Sequence, residues 1–551
     1  MRVAIAQLNP TVGDLAGNRA LVEEAAAKAA AAGAGLLVAP ELVLTGYPPR
    51  DLLERGGFVR DQLRELEALA KVSRRIPIAL GAVLPAPGGG AKRWQNAAVL
   101  LAEGRRVAER AKSLLPTYDV FDENRYFAPA TLREPAALGP DGPLLGLTVC
   151  EDAWSDEIPY GIDPVGELAA AGASPVLNLS ASPWHVEKAR MRRRMLAALA
   201  SRHRVPIVFC NQVGGNDELV FDGASCVLDA RGRVQAALPL FEPALEVVDL
   251  DLPGLDAAPD QVDEPGATAQ LETGLVLGIR DYFRKQGLPP GAVVGLSGGV
   301  DSAVTACLAA RALGPDRVLG VLMPGPFSSE HSVTDAEALA RNLGIESRRV
   351  EIGPIYEAYL AVFARLFGAR DDYGLTQQNI QSRIRGAVLM AVSNQEGRLV
   401  LATGNKSEIS VGYCTLYGDT VGGVAVLGDV YKRDVYALAR HANRAGERIP
   451  QHILDKPPSA ELAPGQLDTD DLPPYEILDA VLEQAIEGQL DAAAIAPPPG
   501  ASREQVRDIV RRLDRNEYKR RQSPLVLRTS TKAFGSGRRL PIVHRYRGST
   551  G

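Results

Sequence analysis

The stretch VVGLSGGVDSAV, residues 293–304, decides how the C-terminal half of the chain is read. Its β-branched start predicts a strand, SGG a tight turn, and the run from Asp301 a helix. Glycines at such a joint let backbone N–H groups approach an anion, and the helix N-terminus behind them favours negative charge. The loop therefore points to phosphate, with Asp301 either capping the helix or holding a hard cation through oxygen. It is neither of two common nucleotide loops. The chain contains no Gly-Lys dipeptide, hence no GxxxxGK[ST], and it contains no GxGxxG.

Working outward, AVVGL (292–296), RVLGVLM (317–323) and SRRVEI (347–352) read as strands separated by helices that start at Asp301 and after Ser328. Alternation at this spacing implies βαβ crossovers and a parallel sheet. Upstream, residues 252–270 combine prolines and carboxylates with no apolar period, the composition of a linker. The domains are therefore expected at 1–251 and 271–551. The first alternates VAIAQL (3–8), a helix over 18–32, LLVAPEL (36–42), further apolar runs, a helix over 186–204 and PIVFCNQV (206–213). This is a second α/β unit, closed by a hairpin that turns at residues 229–232. Another Pro-rich, acidic stretch, 456–474, precedes a helical tail.

A chain of 551 residues exceeds one core, and 46% hydrophobic with 23% charged residues is ordinary globular usage. A net charge of −6 leaves no electrostatic footprint for nucleic acid or an anionic membrane. The start MRVAIAQLNPTVGD lacks a signal-peptide pattern, and the longest uncharged stretch, 168–186, is broken by prolines and polar residues. A cytoplasmic protein is expected. The five cysteines lie far apart, which argues against a disulfide framework or structural zinc. Cys210, Cys226 and Cys414 read as buried core residues.

Three residues of the first unit follow strand-like runs: Glu41, Lys112 and Cys150. Together a carboxylate, an ammonium and a thiol can perform acyl transfer, the carboxylate moving the proton and the thiol attacking. The words around them, PELVLTGYPPRDLL (40–53), AKSLLPTYDVFDENRYF (111–127) and VCEDAW (149–154), resemble signatures of the nitrilase, or carbon–nitrogen hydrolase, superfamily. That resemblance implies an αββα sandwich with Glu41 as general base, Cys150 as the nucleophile that forms a thioester, and Lys112 stabilising the oxyanion. The glutaminase branch further implies glutamine contacts at Tyr118, Ser182 and Lys188.

SGGVDS resembles the pyrophosphatase loop of enzymes that cleave ATP between its α and β phosphates. Read with MPGPFSSEHSVTDA (323–336), LTQQNIQSRIRG (375–386), LATGNKSEISVGYCTLYGDTVGG (401–423), DVYKRDVYALA (429–439) and the tail from residue 516, it is similar to the synthetase domain of the glutamine-dependent NAD⁺ synthetase family. The resemblance spans nearly the whole chain. It implies a Rossmann-like α/β domain with ATP contacts at Gly295, Leu296, Ser297, Gly298, Gly299, Val300, Asp301, Ser302, Thr403 and Lys432. Deamido-NAD⁺ would meet Asn379, Glu408, Asp419 and Lys532, with Mg²⁺ on Asp301 and Glu408. PGPF at 324–327 departs from the family pattern, so no adenine or ribose contact is assigned there.

The implied reaction is adenylation of the deamido-NAD⁺ carboxylate by ATP, then displacement of AMP by ammonia channelled from glutamine. The implied partners are ATP, deamido-NAD⁺ and L-glutamine or ammonia, with Mg²⁺ and no prosthetic group, no nucleic acid and no membrane, in a homo-oligomer. Two alternatives remain open on the residues: another ATP-pyrophosphatase amidotransferase, and a glutamine or nucleotide sensor without turnover.

Overall fold

The computed structural model describes the chain except residues 91, 156, 253, 289–290 and 547–551, so one position of the 252–270 stretch lies outside the described residues. The chain divides into two compact units, Met1–Pro265 and Gly266–Gly551. Residues 252–270 carry more structure than their composition predicts. Ala257 bridges to Val234, Pro259–Gln261 forms a 3₁₀ turn, and the helix Ala267–Gln286 begins inside the stretch. Arg193 pairs with Glu264 and Arg194 with Asp260, which pins this segment to its own unit.

The first unit packs two six-stranded sheets face to face. One runs Ala244–Asp249, Arg2–Gln7, Leu36–Val38, Ile78–Pro85, Trp94–Ala102, Arg105–Ala111. The other runs Val234–Ala237, Cys226–Leu228, Ile207–Asn211, Val176–Ser180, Leu144–Val149, Ala136–Ala137. Alternation along the strands decides the layers. Val3 and Ile5 meet Leu147, Val149, Leu177 and Leu179 between the sheets, while Ala4 and Ala6 face the helices Leu15–Ala31 and Phe58–Val72. Phe209, Leu228 and Val234 likewise face the helices Pro164–Ala170 and Lys188–His203. The result is an αββα sandwich, and both sheet faces are apolar because both are covered. Each fully buried Val, Ile or Leu contributes about 1.5–3 kcal/mol.

The expected hairpin is present: Cys226–Leu228 pairs antiparallel with Val234–Ala237, and the Asp229 side chain accepts the backbone N–H groups of Arg231 and Arg233 in the turn. The helix expected over 18–32 starts earlier, at Leu15, because the Asp14 carboxylate accepts the Gly17 N–H and caps it.

The second unit holds one wholly parallel sheet in the order Glu346–Arg349, Val318–Leu322, Ala292–Leu296, Leu399–Ala402, Val424–Ala425, Leu525–Val526. Three of these strands are the ones the sequence predicts; the other three are only two to four residues long and read as motif words rather than strands. The first strand in the chain lies inside the sheet. The chain builds outward from it to 318 and 346, then crosses back to 399 on its other side. The crevice at the carboxyl ends therefore opens at this reversal, directly above the SGGVDS loop.

Candidate active sites

In the first unit the sheets bring three distant segments together. Glu41 follows the strand Leu36–Val38, Lys112 follows Arg105–Ala111, and Cys150 follows Leu144–Val149. Lys112 Nζ lies 2.9 Å from Glu41 Oε1 and 2.7 Å from Glu123 Oε1, with all three side chains buried. Glu41 is held on both oxygens: Asn96 Nδ2 donates to Oε1 at 2.6 Å and the Ala181 N–H to Oε2 at 2.8 Å. Its backbone approaches Gly81 so closely that a Cβ there would stand 2.2 Å from the Leu42 nitrogen, so only glycine serves at 81.

Cys150 sits at a left-handed φ of +40° as strand turns into a 3₁₀ turn. Such a backbone persists only when its surroundings over-determine it. Asp152 does this, accepting the N–H groups of Val149, Ser113 and Leu114 at 2.9–3.0 Å and so tying the elbow to the Lys112 segment. Burial pushes the Cys150 thiol above its ordinary range, and Glu41 adds to that. Lys112 is raised despite its burial, by Glu123 and Glu41, and stays an ammonium. Glu123 is pushed up to about 7 by burial.

The residues assigned to glutamine cluster around the same elbow. Tyr118 is 41% exposed and donates its hydroxyl to Glu151 Oε1 at 2.9 Å, where Tyr160 also donates at 2.7 Å. Ser182 and Lys188 bracket the segment that Ala181 attaches to Glu41. Lys188 Nζ donates to the Pro183 carbonyl at 2.7 Å and lies 5.6 Å from the Trp154 ring centroid. Sequence reasoning passed over Glu123 and Glu151, although both stood inside quoted words, Glu123 eleven positions after Lys112 and Glu151 next to Cys150.

In the second unit a cavity of about 730 Å³ opens at the sheet's carboxyl end, lined by residues 295–302, Thr403, Lys432, Asn379, Glu408 and Asp419. Gly298 adopts φ +76°, and a Cβ there would lie 2.4 Å from the Ser332 carbonyl oxygen, so the loop requires glycine. Asp301 does not cap its helix with its side chain. It receives Lys432 Nζ at 2.5 Å and Asn405 Nδ2 at 2.8 Å. Lys432 also reaches Glu408 Oε1 at 3.1 Å, and Glu408 is pushed up to about 7 by burial.

Asn379 and Asp419 are joined through Thr415, whose hydroxyl donates to Asn379 Oδ1 at 2.8 Å and whose N–H donates to Asp419 Oδ1 at 2.7 Å. Lys532 stands apart from the residues lining the cavity; its carbonyl accepts the ammonium of the fully buried Lys406 at 2.9 Å. Cys414, read from sequence as core, is half-buried on the cavity wall, whereas Cys210 and Cys226 are buried. The wall also includes Arg385, from the quoted 375–386 word, and Asp468 and residues 456–462, from the Pro-rich acidic stretch, none of which the sequence reading gave a site role.

Two chemistries on two folds define a chain that joins an amide-hydrolysing type of domain to a nucleotide-loop domain. The carbon-nitrogen hydrolase family matches residues 2–260 and the NAD synthase family residues 272–523. The chain is 44% identical to the glutamine-dependent NAD(+) synthetase of Synechocystis sp. and 41% identical to that of Thermotoga maritima, each over 99% of both chains. Among solved structures it is similar to glutamine-dependent NAD⁺ synthetase from Acinetobacter baumannii in complex with ADP, at 36% identity and TM-score 0.76 over 98% of both chains. A Cytophaga hutchinsonii glutamine-dependent NAD(+) synthetase shares the fold at TM-score 0.82, covering 99% of this chain and 98% of that one, with 22% identity. The chain belongs to the glutamine-dependent NAD⁺ synthetase family.

Proposed function

We propose that the chain is a carbon–nitrogen ligase that makes NAD⁺ from deamido-NAD⁺, ATP and glutamine, releasing AMP, diphosphate and glutamate. The observation that carries the reading is the pairing, in one chain, of the buried Cys150–Lys112–Glu41 constellation with a cavity floored by the SGGVDS loop.

In the first unit, Glu41 takes the thiol proton as Cys150 Sγ attacks the glutamine amide carbon. Because burial keeps the resting thiol protonated, transfer and attack are coupled rather than sequential. Lys112, held cationic by two carboxylates, offsets the charge that develops on the amide oxygen. The C–N bond breaks, the nitrogen leaves as ammonia with the proton returned from Glu41, and water activated by the same carboxylate hydrolyses the thioester to glutamate. Tyr118, Ser182 and Lys188 orient the substrate, and Glu151 offers a carboxylate to its α-ammonium.

In the second unit, loop residues 295–302 receive the phosphates of ATP, with Thr403 and Lys432 beside them. Asp301 and Glu408 supply two carboxylate oxygens that converge on one ammonium, a donor pair that suits Mg²⁺, which takes one or two carboxylates and completes its shell with phosphate oxygens and water. A Mg²⁺ held by these two residues would supply positive charge against the phosphates; Asp301 and Glu408 are the side chains that would hold it. Asn379 and Asp419 on the cavity wall are assigned to deamido-NAD⁺, whose carboxylate oxygen attacks the α-phosphorus of ATP and expels diphosphate. Ammonia then displaces AMP from the acyl adenylate.

The deciding experiment measures AMP and NAD⁺ from deamido-NAD⁺, ATP and Mg²⁺ with glutamine, with ammonium, or with neither. Nitrogen-dependent NAD⁺ with matching AMP is expected. Glutamate without NAD⁺ would retain the first half of the reading and overturn the second.

A further inference from the structure

Behind the 181–188 segment lies a polar network that the chemistry above does not use. Asn211, at the end of the strand Ile207–Asn211, is fully buried, as are Asp222 and, to within 1%, Arg192. Asn211 Oδ1 accepts the Ser182 N–H at 2.8 Å, while its Nδ2 donates to Asp222 Oδ1 at 3.2 Å and to the Gly223 carbonyl at 2.8 Å. Arg192 Nη2 donates to both Asp222 oxygens at 3.0 Å, and its Nη1 reaches Ser182 Oγ at 3.5 Å. The neighbouring N–H, of Ala181, is the one that holds Glu41.

An asparagine amide can turn either way, and only its partners choose. Here an ionised carboxylate and a carbonyl, which can only accept, face one end, and a backbone N–H, which can only donate, faces the other. Turning the amide over would oppose donor to donor at Ser182 and acceptor to acceptor at Asp222. Burial raises the Asp222 carboxyl above its ordinary range, and the Arg192 guanidinium, 3.0 Å away, opposes that shift and supplies the counter-charge.

We propose that Asp222 and Asn211 are positioning residues of the glutaminase site: Asp222, neutralised by Arg192, fixes the Asn211 amide, and that amide sets Ser182 and the adjoining Ala181 N–H on Glu41 for glutamine. The proposal rests on the glutaminase reading of the first unit.

The test exchanges the two isosteric groups. D222N and N211D each place like groups face to face, and each is expected to raise the glutamine KM about tenfold, the cost of one buried hydrogen bond. Ammonia-dependent synthesis should keep its wild-type rate. The double variant D222N/N211D restores a carboxamide facing a carboxylate, with an acceptor left for the Ser182 N–H, and should recover part of the glutamine KM, the Gly223 carbonyl alone being left without its donor. Loss of packing alone predicts no such rescue, because side-chain shape never changes. N211S, which removes the acceptor but leaves the Arg192–Asp222 pair, covers failure of either single variant to fold and should raise the same KM. Unchanged KM in the singles and N211S, or two folded singles without rescue in the double, would overturn the positioning role while leaving the glutaminase reading intact. A wild type with no glutaminase activity would overturn both.

Discussion

Lys112 in the first unit and Lys432 in the second each sit between two carboxylates, yet their surroundings differ. Glu41 and Glu123 are 0% and 4% exposed, closed in by Asn96, Tyr47 and the Ala181 N–H. Asp301 and Glu408 are 17% and 16% exposed and line an open cavity. A third buried lysine, Lys406, meets Asp429, Glu487, Ser530 and the Lys532 carbonyl, and it is not among the cavity's lining residues. One charge pattern thus serves three ends. On the function proposed above, closed walls around Lys112 would preorganise charge for a small amide and an open wall beside Lys432 would admit a polyanion and its cation, whereas saturation of Lys406 leaves only structure.

The sharpest way to break this comparison is to disable one site and read the other. Cys150→Ala should abolish glutamine-dependent NAD⁺ formation, a loss on the order of 10⁴-fold or more, and leave ammonia-dependent synthesis intact. Loss of both in a folded variant would mean that the sites are not separable. Next in size, Asp301→Asn should lower AMP formation about 10³-fold with either nitrogen source while glutaminase activity persists. AMP formed at the wild-type rate would remove Asp301 from the phosphate site.

Glu123→Gln sharpens the contrast within the closed site. Lys112 keeps Glu41 but loses its second carboxylate, and thioester formation should slow by about 10²-fold, measured as glutamate release. An unchanged rate would make Glu123 a packing residue. The smallest effect is a dependence of stability on pH. Glu123 titrates at about 7 in the fold against an ordinary 4.5, so the folded state holds a proton that the unfolded chain has released. Its contribution to stability therefore falls as pH rises from about 4.5 to 7 and is flat above. In urea unfolding, the stability of wild type minus that of E123Q should decline between about pH 5 and pH 7.5. A difference independent of pH would contradict the raised carboxyl.

Much of this was legible along the chain. The strand–turn–helix of SGGVDS and the alternation that makes both units α/β are local signals, carried by period and spacing, while the Glu41, Lys112 and Cys150 words are legible through their resemblance to nitrilase-superfamily signatures. Short strands at 399–402, 424–425 and 525–526 were not, because runs of two to four residues have no period to read and are strands only by the neighbours they pair with. Likewise Arg193–Glu264 and Arg194–Asp260 give structure to a stretch whose composition reads as linker.

The sequence by itself determined the α/β alternation of both units, the words that hold Glu41, Lys112, Cys150 and the SGGVDS loop, and the family those words resemble. Tertiary structure alone decided the company these groups keep. Glu123 joins Lys112, Lys432 crosses 131 positions to Asp301, and Asp222 selects the face of Asn211 toward Ser182. The physical reason is that spacing encodes which face of an element a side chain occupies, whereas sheet order and crossovers set which faces meet, and burial then fixes each group's charge and hydrogen-bond direction.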